Sequence, residues 1–154
     1  MIADLLSENS IKLNMSAGSK EEAIQELVGL LVSNDDSLSG KSLFESARDR
    51  ENRMSTGLGK GVAVFRCRSE DVKQICCSLG IRHGGVEFDA VDGIPVEIFF
   101  MIAAPKKVDD TYVRILCRLY RILNQETFRS HLLGARSAKE VFSLVSEEEK
   151  EFED

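Results

Sequence analysis

Residues 50–66 read RENRMSTGLGKGVAVFR, and the fold turns on how this stretch changes character. Arg50, Glu51 and Asn52 close a helical pattern that runs back to about Lys41, with Leu43, Phe44 and Ala47 on its inner side. Ser55–Gly61, STGLGKG, is small, glycine-rich and uncapped, so it reads as a loop. Val62–Phe65 is then an apolar run of strand type. Helix, loop and strand follow one another within a few residues.

Working outward, the same alternation of types continues. Towards the N-terminus, Asn34–Gly40 is a polar turn, and Ser19-x-x-Glu22 is a capping box. It opens a helix whose stripe is Ala23, Ile24, Leu27, Val28, Leu30 and Leu31. Ile11–Met15 alternates as a short strand, and Met1–Leu6 suits a short helical turn. Towards the C-terminus, Val72–Ile81 holds a strand with Ile75, Cys77, Leu79 and Ile81 on one face. Pro95–Ala103, PVEIFFMIA, is apolar almost throughout and predicts a central strand buried on both faces. Asp109 or Asp110 caps a helix to about Leu123, with Val113, Leu116, Leu119, Tyr120 and Leu123 inward. Glu126–Leu133 is a short helix that Gly134 ends, and Ser137-x-x-Glu140 opens a last one to about Val145. Interleaved strands and helices predict an α/β class: a mixed β-sheet flanked by helices on both faces.

Composition narrows the function. With 154 residues, 43% of them hydrophobic, one domain can build a core without metals or disulfides. The net charge of −6 belongs mostly to Glu147–Asp154, EEEKEFED, which holds six acids and one lysine. The expected organisation is a domain over 1–146 and a disordered acidic tail over 147–154. The body is almost neutral, which excludes the basic stripe of a nucleic-acid-binding domain. No stretch is long and apolar enough to enter a membrane, and no leader pattern opens the chain, so a cytoplasmic protein is expected. Cys67, Cys76, Cys77 and Cys117 form neither a disulfide framework nor a zinc signature. Cys67 stands between Arg66 and Arg68, two charges that favour a thiolate and leave a redox or nucleophilic role open. No metal or cofactor is expected.

The stretch at 50–66 resembles the active-site segment of type-2 IIA domains of the phosphoenolpyruvate-dependent sugar phosphotransferase system. That is the fructose, mannitol and nitrogen-regulatory (PtsN-like) branch. In that family an Arg-Glu pair precedes a Ser/Thr-Gly-x-Gly-x-Gly-[IV]-A-[IV]-Pro-His run. Arg50-Glu51, Ser55-Thr56-Gly57, Gly59 and Gly61-Val62-Ala63-Val64 match it. Phe65 stands for the proline and Arg66 for the phosphorylated histidine. The likeness extends over about Leu5 to Val145, through LLSENSIKLNM, SKEEAIQEL, Phe88–Gly93 with Pro95-Val96, and Ala104-Pro105. The family's second histidine, on the helix after Ala-Pro, aligns with Tyr112. The same general fold occurs in the cytoplasmic domains of anion exchangers.

The resemblance implies an anion pocket made by Arg50, Glu51, Ser55, Thr56, Gly57, Gly59, Gly61 and Arg66, with no catalytic residue. A phosphocarrier needs a neutral imidazole nitrogen as nucleophile, small residues that let N–H groups approach phosphoryl oxygens, and an arginine fork. A guanidinium stays protonated and has no free lone pair, so Arg66 cannot accept phosphate. His83, before Gly84-Gly85 in a loop, and His131, on the penultimate helix, lie outside the motif. The reading is a regulatory protein-binding domain without phosphoryl transfer, and so without enzymatic activity. Its implied partners are a regulated transporter or kinase, or phosphotransferase components; self-association stays open. Two alternatives remain: a carrier that uses another acceptor, His83 or Cys67, and a small-anion sensor.

Overall fold

PVEIFFMIA forms the strand that organises the molecule. In the computed structural model, which describes residues 1–152, β5 (Val96–Ala104) is buried from Ile98 to its end. Ile98, Phe100, Ile102 and Ala104 enter one core, while Phe99, Met101 and Ala103 enter another. A strand with two apolar faces must be covered twice, and the chain supplies both layers.

The sheet also holds β1 (Ile11–Lys12), β2 (Gly57–Gly59), β3 (Val62–Arg68) and β4 (Cys76–Val86), in the order β1-β4-β5-β3-β2. β1 pairs parallel with β4 and β3 parallel with β5, while β4–β5 and β2–β3 are antiparallel. Helices α1 (Lys20–Asn34) and α2 (Gly40–Arg53) cover one face. The other is covered by α3 (Asp110–Leu123), α4 (Glu126–Gly134), α5 (Ala138–Lys150) and a 3-10 turn at Ile2–Leu5. Phe65, Phe88 and Phe99 cluster between the sheet and the first pair, with ring centroids 5.8–5.9 Å apart. Burying each such ring contributes roughly 1.5–3 kcal/mol, which outweighs any single surface contact. Among the described residues no helix is long and apolar enough to cross a membrane.

The helix starts follow the expected caps. Ser19 Oγ accepts from the Glu22 N–H at 3.2 Å, Ser137 Oγ from the Glu140 N–H at 3.0 Å, and the Asp109 carboxylate from the Thr111 N–H at 3.0 Å. The two glutamates do not return to the cap residue. Glu22 accepts instead from the Gly18 N–H and Glu140 from the Arg136 N–H, one position earlier in each case.

Four expectations need correction. Val113 faces solvent rather than the core, because Tyr112, Ile115, Leu116 and Leu119 already fill the α3 interface. The strand expected at Ile11–Met15 pairs only at Ile11–Lys12. β4 starts within Val72–Ile81 as expected but runs on past Ile81 through His83, Gly84 and Gly85, where a loop was expected; positive φ values of 90° and 81° at the glycines mark an irregularity before Val86. The tail expected to be disordered from residue 147 is helix to Lys150, with Glu149 fully buried. Residues 153–154 of that segment lie outside the described residues.

Candidate functional site

Alternation along β3 sets the site. Val62 and Val64 turn towards α3–α5, so Arg66 and Arg68 take that same side at the carboxyl end of the strand. Ala63, Phe65 and Cys67 turn the other way, into the core under α1 and α2. Ser46 on α2 ties the strand end down, its Oγ accepting from the Arg68 N–H at 2.9 Å.

A cavity of about 670 Å³ opens at this edge. Arg66 and Arg68 line it from β3, and Arg50 and Arg53, one turn apart on α2, line it from the helix end. Ser46 on α2, Lys106, just after β5, and Tyr112, in the first turn of α3, add further polar lining. Arg50 Nη1 donates to the Met54 carbonyl at 3.1 Å and Arg53 Nε to the Asp49 carbonyl at 3.4 Å. Both arginines thus suit the carbonyl-rich end of α2, where cations are favoured. Arg66 Nε is buried and has no hydrogen-bond partner among the described residues. The cavity lies outside the carboxyl ends of two parallel strands, where open α/β sheets commonly place ligands.

The arrangement separates the residues that the sequence grouped together. Arg50 and Arg66 line the cavity, and Tyr112 joins them there. Glu51, Ser55, Thr56, Gly57, Gly59 and Gly61 do not line it. Glu51 is buried, and its Oε2 accepts from both the N–H and the hydroxyl of Thr56. Lys20 Nζ stands 3.4 Å from the other carboxylate oxygen, in ion-pair range but not in hydrogen-bond geometry. This pair anchors the exit from α2. The glycines run away from Arg66: Gly57–Gly59 is β2, and Gly59-Lys60-Gly61 is the turn into the start of β3. All three turn residues have positive φ, 77°, 58° and 77°. Asp92 pins the turn by accepting from the Lys60 N–H at 2.6 Å. Five residues of strand at ~3.3 Å each put Gly61 roughly 16 Å from Arg66, too far to share one phosphoryl group with it.

The alternative acceptors fare differently. Cys67 is 1% exposed, and burial pushes its thiol up to about 12, with the neighbouring Cys76 adding to the rise. Cys67 borders the cavity, but its side chain packs in the core under α1 and α2 while the two arginines beside it in sequence point to the opposite face, so the thiolate that they suggested is not favoured. His83 and His131 are exposed on β4 and α4 and do not line the cavity. Arg53, Arg68 and Lys106 enter the site without having been singled out. Their signal was present: Arg68 is two residues from Arg66 on a strand, and Arg53 three from Arg50 on a helix.

Comparison with known proteins agrees with this architecture. The chain is 31% identical over 149 residues to the fructose-specific EIIABC component of Bacillus subtilis, covering 97% of this chain but only 24% of that longer protein. It is 24% identical to the nitrogen regulatory protein of Pseudomonas aeruginosa, over 94% of each. Among solved structures, the nitrogen regulatory IIA protein of Neisseria meningitidis superposes with a TM-score of 0.86 at 33% identity, covering 94% of this chain and 98% of that one. The IIA mannitol domain of Escherichia coli gives 0.76 at 26% identity, over 91% and 98%. The model of one family, described as phosphoenolpyruvate-dependent sugar phosphotransferase system, EIIA 2, matches residues 4–148, and the chain belongs to that family.

Proposed function

We propose that this chain is a nitrogen-regulatory type of IIA domain that has lost phosphoryl transfer and works in the cytoplasm by binding proteins. One observation carries the reading. The cavity at the ends of β3 and β5 is lined by four arginines, a lysine, a tyrosine and Cys67, whose thiol burial keeps protonated, and by no histidine. A protonated guanidinium offers donors but no nucleophile, so the chemistry is missing in kind. Met54 at the cavity and Val113 beside Tyr112 are 67% and 54% exposed, which supports a docking role for the same edge. A solved Escherichia coli complex joins IIA mannitol to phosphorylated IIB mannitol, a precedent for partner binding by this fold. The partners inferred here are a regulated transporter or kinase, or phosphotransferase components.

The test is incubation of the full chain with a phosphotransferase relay and phosphoenolpyruvate, followed by intact-mass analysis. The natural protein is expected to stay unmodified, and Arg66→His to gain acid-labile phosphate. Stoichiometric phosphate on the natural protein, at His83 or anywhere else, ends this reading.

A further inference from the structure

We propose that the cavity between the ends of α2, β3 and β5 binds a small anion carrying two linked phosphates, reversibly and without covalent chemistry. The inference goes beyond the protein-binding reading and does not depend on it.

The charge pattern is the starting point. Arg50, Arg53, Arg66, Arg68 and Lys106 reach one cavity from three elements, and no acidic residue lines it. Some cations outside the cavity are paired. Arg48 lies 3.4 Å from Asp49, Lys12 3.0 Å from Glu26, and Arg118 3.5 Å from Glu149. Among the described residues none of the four cavity arginines has a carboxylate within ion-pair distance. Lys106 has Glu70 at 3.9 Å, but both side chains are largely exposed and the contact is weak. Like charges gathered at a concave, partly desolvated edge repel one another, and a bound anion removes that repulsion.

Arg66 gives a second, separate indication. Its Nε is out of water and lacks an acceptor. A buried guanidinium N–H without a partner is unfavourable, and a small turn of the Arg66 side chain towards the cavity would give it a phosphate oxygen, the acceptor that fits its fork. The geometry also favours a diphosphate over a single phosphate. One pair of arginines comes from a helix end and the other from a strand end, around a space of about 670 Å³. One tetrahedral group can satisfy one pair closely. Two linked groups can engage both pairs together.

Inorganic pyrophosphate and a nucleoside diphosphate present the same chemistry. Calorimetric titration of the full chain at low salt with pyrophosphate, orthophosphate and ADP separates them. Pyrophosphate is expected to bind about tenfold or more tightly than orthophosphate. Arg66→Gln and Arg53→Gln are each expected to weaken it about tenfold or more, while Arg48→Gln changes it less than about twofold. Arg53 is exposed, so its variant decides the matter if Arg66→Gln does not fold. Tighter binding of ADP assigns a nucleotide, and equal or weaker binding assigns the inorganic anion; either supports the site. Absence of pyrophosphate binding at millimolar concentration overturns it. So does equal weakening by Arg53→Gln and Arg48→Gln, which reports diffuse surface charge. Covalent phosphate survives denaturation in intact-mass analysis and this complex does not, so failure here and failure of the protein-binding reading are distinguishable.

Discussion

The guanidinium carbon of Arg68 lies 5.4 Å from the centroid of the Tyr112 ring, so a cation rests on the residue that shares the cavity with Arg66. Burial pushes the Tyr112 phenol above its ordinary 10.0, and the charges of Arg66 and Arg68 partly offset that rise. An acid raised by folding stabilises the fold below its unfolded pKa and loses that contribution as pH climbs through the folded value. In a Tyr120→Phe background a single phenol remains, and its ultraviolet titration should fall above 10. Arg68→Gln removes one offsetting charge and should move the titration higher still. A downward move, or none, contradicts the assignment.

Phe65 limits how far the family motif can be rebuilt. Its ring is fully buried and stacks on Phe99 at 5.8 Å and an interplanar angle of 20°. Phe65→Pro empties that space and places a residue without an N–H inside β3, next to β5. A loss of about 3 kcal/mol or more is expected from the cavity alone. Urea denaturation measures it, and a loss below about 1 kcal/mol shows that the ring cluster repacks. Arg66→His by itself is therefore the cleaner reversal of the site, since Arg66 contributes to the cavity and not to the ring cluster.

Much of this was legible in the residues. The near-continuous apolarity of Pro95–Ala103 announced two covered faces, and Ser19, Asp109 or Asp110, and Ser137 announced three helix starts. What failed has physical causes. A glycine-rich run reads the same whether it cradles an anion or turns a hairpin, and only the β2–β3 pairing shows that Gly59 and Gly61 serve the hairpin. Neighbours in sequence are opposites on a strand, so Cys67 escaped the charges of Arg66 and Arg68. An acidic run looks solvated until one member finds buried donors, as Glu149 does. Lys106 has no periodic signal, because it follows the strand rather than belonging to it.

The thiols should divide sharply. Cys117 is exposed, Cys76 is half-buried and pushed up to about 11, chiefly by burial, and Cys67 is pushed up to about 12. Cys77, fully enclosed, is also raised by burial first. A thiol reagent at about pH 8 should label one cysteine quickly, Cys76 slowly, and the other two only on unfolding. Raised thiols stabilise the fold below their ordinary 9.0 and lose that contribution as pH rises towards about 12. The alkaline decline should approach roughly 1.4 kcal/mol per pH unit for each thiol ionised only in the unfolded chain. Cys67→Ala should make the decline shallower. Fast labelling of Cys67 in the folded protein defeats the prediction.

Glu149 joins the two ends of the chain. It lies in the last turn of α5 with no exposed surface, and its two oxygens accept from the Ile2 and Ala3 N–H groups at 2.7 Å each. Those are among the donors that a helical turn leaves without internal partners, and Arg118 stands 3.5 Å from the same carboxylate. Glu149→Ala orphans two buried N–H groups and one cation, which should cost about 3–5 kcal/mol in urea denaturation. Glu149→Gln can satisfy one N–H through its amide oxygen, but its own NH₂ confronts the other, so it should recover only part of the loss. Glu147 and Glu151 sit in the same acidic run but are exposed, and replacing either with alanine should change stability by less than about 0.5 kcal/mol. Removing residues 1–6 deletes the donors instead of the acceptor. If the clamp is real, that truncation combined with Glu149→Leu should cost less than the sum of the two changes made separately, because the charge left buried by one is removed by the other. Simple additivity, or a Glu149→Ala variant no weaker than Glu151→Ala, shows that the ends fold independently of this contact.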